Sequence, residues 1–248
     1  MRRADLRDFA PLMKLWEQAF GDEGGFREEF FKERAPLADI LVLEDEGTGE
    51  IVSALYLLPC EMRTSGGATV SATNMVGVAT DLGHRNKGCM SRLINYAFEY
   101  LKEKGVAVVV LKPSAKAFYE QYGFKVCNVL YEFEPDVGEF GLYRGCEKMT
   151  DALIERLDAI YKGEGGNVLL RSLADWRFNL KDYAWVAVNE DAYHLCCEKD
   201  GVLVARESVP LALAAEQGRE VGYTMYKILD DGMVDFLEGV ENRIFEQY

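Results

Sequence analysis

A chain of 248 residues, 49% of them hydrophobic and 28% charged, can bury a proper core in one large domain or two small ones, which excludes a disordered protein. Its formal net charge of −14, from 28 basic and 42 acidic side chains, repels polyanions and argues against a nucleic-acid partner. No run of about 18 apolar residues occurs, and Met1-Arg2-Arg3 leads into a charged segment, so neither a membrane span nor a secretory signal is expected, and the expected compartment is the cytoplasm.

The six cysteines, Cys60, Cys89, Cys127, Cys146, Cys196 and Cys197, form no C-x-x-C pair, and His84 and His194 are the only histidines. Structural zinc and disulfides are therefore not expected, and most of these thiols should serve as small buried hydrophobes.

In chain order, Leu6, Phe9, Leu12, Met13, Trp16 and Phe20 recur at spacings of three and four, which predicts a helix over 5–20 with that stripe facing inward. The glycine-rich segment 21–25 ends it. Phe26, Phe30 and Phe31 mark a second short helix, whose aromatics either join the core or line a pocket mouth, the core being the expectation. Asp39–Leu43 and Ile51–Met62 flank a polar turn and predict a β-hairpin. Ala68–Thr80 is rich in Val and Thr, with a break or bulge expected at Asn74 between two strands.

Ser91–Lys104 then reads as a helix with Gly105 at its C-terminus, and Val106–Leu111 as a buried strand of a parallel pair. Strand, helix and strand make a right-handed crossover. The junction Arg85-Asn86-Lys87-Gly88-Cys89-Met90 puts unpaired backbone N–H groups and the positive end of a helix dipole at one spot. That is an anion site, most naturally for a phosphate. A helix over Ser114–Tyr122 and a strand over Phe124–Glu134 follow.

A polar connector at 134–139 leads into a second, smaller α+β region. Helices are expected at Ala152–Tyr161, Ser172–Leu180 and Leu211–Gln217. One hairpin is expected around Lys199-Asp200-Gly201 and another, joining Val221–Leu229 to Met233–Leu237, around Asp230-Asp231-Gly232.

This order of elements, an α/β fold with a mixed α+β sheet, resembles the GNAT superfamily of acyl-CoA-dependent N-acetyltransferases. The family's turn is Arg/Gln-x-x-Gly-x-Gly/Ala; Arg85-Asn86-Lys87-Gly88 matches its first four positions, and Met90 departs from the small residue at the last. Downstream, Ala117-Phe118-Tyr119-Glu120-Gln121-Tyr122-Gly123-Phe124 looks like its A-x-L-Y-x-x-x-G-F segment. The resemblance implies a GNAT domain over 1–135. It also implies acetyl-CoA as acyl donor, with no metal, and an amine-bearing acceptor.

In that likeness the N–H groups of Lys87, Gly88, Cys89, Met90 and Ser91, beside Arg85, cradle the CoA pyrophosphate. The strand Val76–Val78, splayed from its parallel neighbour, pairs with pantetheine. Tyr119 protonates the departing thiolate. Asn74 stands where many members carry a carboxylate, so a base must come from water, from the acidic side chains of Glu23–Glu29, or from the second domain. Cys89 contributes its backbone rather than a nucleophilic thiol, and His84 is a surface neighbour of the phosphate turn.

The segments Leu15–Asp22, Gly77–Thr80 with Arg85-x-Lys87-Gly88, and Arg171-Ser172-x-x-Asp175-Trp176 look like the Eis-like group. That implies an abbreviated, degenerate GNAT-like second domain over 136–248, with the chain ending before the third domain that often follows. Whether the Tyr248 carboxylate reaches the active site stays open, as does a homo-oligomer. The expected activity is acetyl transfer to a primary amine; the alternatives are a non-catalytic acyl-CoA sensor and an assembly module.

Overall fold

The computed structural model describes residues 1–21, 25–145, 149–230, 232 and 242–243. Glu23, Cys146, Tyr248 and the strand expected at 233–237 lie outside these residues. The chain divides into two compact units, each discontinuous in sequence. The first comprises Met1–Cys60, Ser71–Leu111 and Ile228–Met233; the second comprises Glu61–Val70, Lys112–Lys227 and Val234–Tyr248.

In the first unit, β1 (Arg2–Arg3) pairs antiparallel with β2 (Asp39–Glu44), and β2 with β3 (Ile51–Arg63). Next come β4 (Thr69–Thr80) and β5 (Val108–Leu111), giving the order β1-β2-β3-β4-β5. β4 and β5 are parallel and joined by α3 (Cys89–Glu103), as the crossover requires. Leu93, Ile94, Ala97, Phe98 and Leu101 form the buried stripe of α3, and all four residues of β5 are buried.

Residues 5–20 do not form one helix with a fully buried stripe. Asp5 and Asp8 form a capping box around a 3-10 turn, Leu6–Asp8, and α1 runs only over Phe9–Phe20. Arg2 holds Asp8 through two hydrogen bonds, at 2.6 and 2.9 Å, which fixes that turn to β1. Leu6 is left 96% exposed and Phe9 about half exposed beside that turn; Phe20, at the far end of α1, is also about half exposed, while Leu12, Leu15 and Trp16 face the core. α2 (Phe26–Glu33) supplies Phe30 and Phe31, which pack with Trp16 and Tyr56.

β4 is one strand, without the break expected at Asn74. Asn74 is buried within it, opposite Val110. The backbone departure falls three residues later: Gly77 has φ +58° inside the strand. A Cβ there would lie 2.4 Å from Trp16 Cζ3 and 2.6 Å from Tyr56 Cδ2, so the rings of α1 and β3 occupy the space a side chain would need.

In the second unit, α4 (Lys116–Glu120) is shorter than the expected 114–122 helix, because Gln121–Gly123 turn out of it with Gly123 at φ +82°. β6 (Lys125–Glu132) pairs antiparallel with β12 (Arg219–Ile228). A four-stranded antiparallel sheet has the order β11-β10-β9-β7, from β7 (Gly141–Arg144), β9 (Trp185–Val188), β10 (Tyr193–Lys199) and β11 (Val202–Val209). The hairpin β10–β11 turns at Asp200 and Gly201, both with positive φ, as a two-residue primed turn demands.

β8 (Asn167–Leu170) pairs antiparallel with the end of β3 and parallel with β13 (Asn242–Arg243). α5 (Asp151–Gly163) and α6 (Leu173–Asn179) close the core, which holds Leu157, Tyr161, Trp176, Tyr193 and Leu195; α7 spans Leu211–Gln217. Within this core Arg171 forms a bidentate pair with Glu207, at 2.7 and 2.8 Å, and Tyr193 donates its hydroxyl to the same carboxylate at 2.6 Å. Burial opposes the Arg171 charge, but the Glu207 carboxylate outweighs it and holds the guanidinium well above its ordinary range.

Candidate active site

Within the first unit, the parallel register of β4 with β5 runs from Ala72–Val108 to Asn74–Val110, and β5 ends one residue further on. Val76, Gly77 and Val78 lie beyond that register, each half-buried, in the stretch expected to splay. β4 then passes through a 3-10 turn, Leu82–His84, into the glycine turn and α3.

Arg85, Asn86, Lys87 and Gly88 are exposed, and Cys89, Met90 and Ser91 are half-buried at the start of α3. Asn86 (φ +61°) and Gly88 (φ +76°) both adopt left-handed conformations on either side of Lys87. Gly88 is the N-cap residue, and nothing lies within 4 Å of where its Cβ would stand. The first helical bond is closed by Arg92, whose N–H donates to the Gly88 carbonyl at 3.0 Å. The amides of Cys89 and Met90 precede that bond, at the positive end of the helix dipole. Alternating left- and right-handed residues are the backbone form of an anion-binding nest.

The approach to the turn is braced. Asp81 donates its N–H to the Val52 carbonyl at 2.9 Å. Its carboxylate accepts from Gly83 N–H (2.9 Å), His84 Nδ1 (2.8 Å) and Gln18 Nε2 (3.1 Å). The hydrogen bond from His84 and then that from Gln18 hold the Asp81 carboxyl below its usual range. Gln18 also accepts from Leu82 N–H, and Arg85 Nε donates to the Thr80 carbonyl at 3.2 Å. His84 is more than a surface neighbour: besides Asp81, its Nε2 stands 3.7 Å from Asp45. Neither Asp81 nor Gln18 is singled out by the sequence pattern. Asp81, two residues before Gly83, carries the local signature of an Asx turn, whereas Gln18 lies 63 positions away and leaves no local trace.

In the second unit, Tyr119 is buried on α4, edge-on to Phe118 and Phe124. Burial, and then the neighbouring Tyr122, push its phenol up to about 12. The Tyr119 proton is therefore held at neutral pH. Glu28 and Glu29 lie on the exposed face of the first turn of α2. Among the described residues, Cys60, Cys89, Cys127, Cys196 and Cys197 stand outside any disulfide. Among the described residues no group of three His, Cys, Asp or Glu side chains is placed to hold a metal ion, and no helix is long and apolar enough to cross a membrane.

A strand–glycine turn–helix–strand crossover is shared by several phosphate-binding α/β folds, and comparison with known proteins gives the class. Residues 1–127 match the family described as Acetyltransferase (GNAT) domain, and the chain belongs to that family.

An uncharacterized N-acetyltransferase of Streptomyces avermitilis is 30% identical over 94 residues, 38% of this chain and 22% of that protein. The match thus spans about a fifth of the length of that relative. Among solved structures, a probable N-acyltransferase of Enterococcus faecalis V583 superposes with a TM-score of 0.68 at 15% identity, covering 92% of this chain and 72% of that one. A GCN5-related N-acetyltransferase from Kribbella flavida gives 0.67 at 17% identity, over 92% and 71%. Eis1 from Mycobacterium abscessus gives 0.62 at 15% identity, over 92% and 73%, so the Eis-like resemblance extends to the fold.

Proposed function

We propose that this chain transfers the acetyl group of acetyl-CoA to a primary amine in the cytoplasm, by direct attack within a ternary complex. The observation that carries the reading is the run from a strand whose parallel register stops at Asn74 into a turn with left-handed Asn86 and Gly88. In this reading residues 1–135 are the catalytic domain, and 136–248 a GNAT-like second domain. The main chain of Lys87, Gly88, Cys89, Met90 and Ser91, with Arg85 alongside, receives the pyrophosphate. Val76 and Val78 pair with the pantetheine amides.

The amine nitrogen attacks the thioester carbonyl and a tetrahedral oxyanion forms, stabilised by backbone N–H donors. The C–S bond then breaks, the sulfur takes the Tyr119 phenolic proton, the amine gives its proton to water, and water returns a proton to the Tyr119 phenolate. Catalysis rests on positioning two reactants and on that proton transfer.

Tyr119→Phe should lower kcat by roughly 10²–10⁴-fold while leaving CoA affinity unchanged. An unchanged kcat in a folded variant would remove Tyr119 from the mechanism. The second reading, a sensor that binds acyl-CoA without turnover, is favoured by buried Asn74, whose amide cannot accept a proton. Thermal shift with acetyl-CoA, followed by CoA release on a panel of primary amines, separates the two. Stabilisation without release on any amine supports the sensor, and no stabilisation refutes both.

A further inference from the structure

Helix α1 touches the donor side of the first unit at two places, through Trp16 against Gly77 and through Gln18 against the entrance to the glycine turn. The second contact is reciprocal. The Gln18 amide donates to the Asp81 carboxylate at 3.1 Å and its carbonyl accepts from Leu82 N–H at 3.3 Å. Asp81 in turn holds Gly83 and His84, the two residues before Arg85. A single side chain on α1 therefore grips both the backbone and the carboxylate that set the course of the chain into the turn.

We propose that Gln18 is a positioning residue that couples α1 to the phosphate turn, so that coenzyme binding at the turn orders α1. The proposal rests on the reading of that turn as the CoA site. An anion that draws the 85–91 backbone into one conformation also fixes Asp81 and Leu82, and through them the Gln18 amide. Linkage makes the effect mutual: a held α1 favours the binding-competent turn by the same factor. Gln18 shares α1 with its buried residues Leu12, Leu15 and Trp16, so a hold on Gln18 bears on the helix that carries them.

Hydrogen–deuterium exchange of the full chain, with and without CoA, tests this. In the unmodified protein CoA should slow exchange in peptides covering both 85–92 and 9–20. In Gln18→Ala the protection at 85–92 should remain and that at 9–20 should vanish, with CoA affinity about three- to tenfold weaker for two lost hydrogen bonds. Gln18→Met, which keeps the length and packing of the side chain but neither hydrogen bond, should reproduce the loss and serves if the alanine variant misfolds. A purely structural role for Gln18 would lower the melting temperature without separating the two protections. Protection of 9–20 that survives in the variants overturns the coupling, as does protection of the turn alone in the unmodified protein. Protection of neither segment overturns the CoA site itself, and the coupling with it.

Discussion

Gly77→Ala probes the junction between α1 and the strand that leads to the turn. Two costs can be worked out from the geometry. A φ of +58° is unfavourable for a residue with a Cβ, by roughly 1–2 kcal/mol. The added methyl would stand 2.4 Å from Trp16 and 2.6 Å from Tyr56, both ring atoms of packed side chains, and such overpacking costs about 1–3 kcal/mol. The expected loss is about 2–5 kcal/mol, read as a lower urea midpoint with an unchanged slope. For a chain of this size that corresponds to a fall in melting temperature of roughly 5–15 °C. Trp16→Phe removes the ring atom nearest the new methyl, so Gly77→Ala should cost about 1 kcal/mol less in that background. A Gly77→Ala variant within about 0.5 kcal/mol of the unmodified protein would refute the reasoning. So would strict additivity with Trp16→Phe.

Three further outcomes are expected. Burial lowers the pKa of His194 to about 4, so the folded state disfavours the imidazolium. The unfolded chain takes up its proton first, near 6.5. The stability His194 contributes is thus complete above pH 6.5 and lost on acidification towards 4, by about 3 kcal/mol; His194→Gln should flatten stability against pH across that window. Glu207→Gln leaves the buried Arg171 guanidinium without its counter-charge and should cost about 3–5 kcal/mol by denaturant titration, whereas an apolar pair such as Arg171→Met with Glu207→Leu should cost less. Gly88→Ala meets no neighbour within 4 Å and should cost only about 1–2 kcal/mol of stability through its φ of +76°, yet weaken CoA about tenfold or more by calorimetry.

The crossover from β4 through α3 to β5 was legible because its signals are local: a β-branched run, a glycine at the junction, a 3.6-residue stripe and a glycine at the far end. The β10–β11 hairpin was legible for the same reason, in Asp200-Gly201. β7, β8 and β9 left little trace, since each is four residues long and exists through its partners. The stripe over 5–20 misled at its N-terminal end because hydrophobic spacing does not record where a capping box starts a helix. In the site, Arg85–Ser91 could be read from its glycine. The bend at Gly77 could not be told from one at Asn74, because the reason for it is a tryptophan 61 positions earlier (77 − 16). The Gln18–Asp81 brace is likewise a product of tertiary structure.

Beyond the entrance braced by Asp81 and Arg85, the turn between β4 and α3 presents its amides through two left-handed residues, Asn86 and Gly88. Cutting back Lys87, Cys89 and Met90 to alanine would leave every amide where it is. Such a scan would report a tolerant surface loop. Only changes that act on the main chain, a Cβ at Gly88, a β-branched residue at Asn86 or an ester in place of an amide, address what the turn presents. Low sensitivity to side-chain loss at this position would therefore mark a site built from backbone, and is no sign that the turn lacks one.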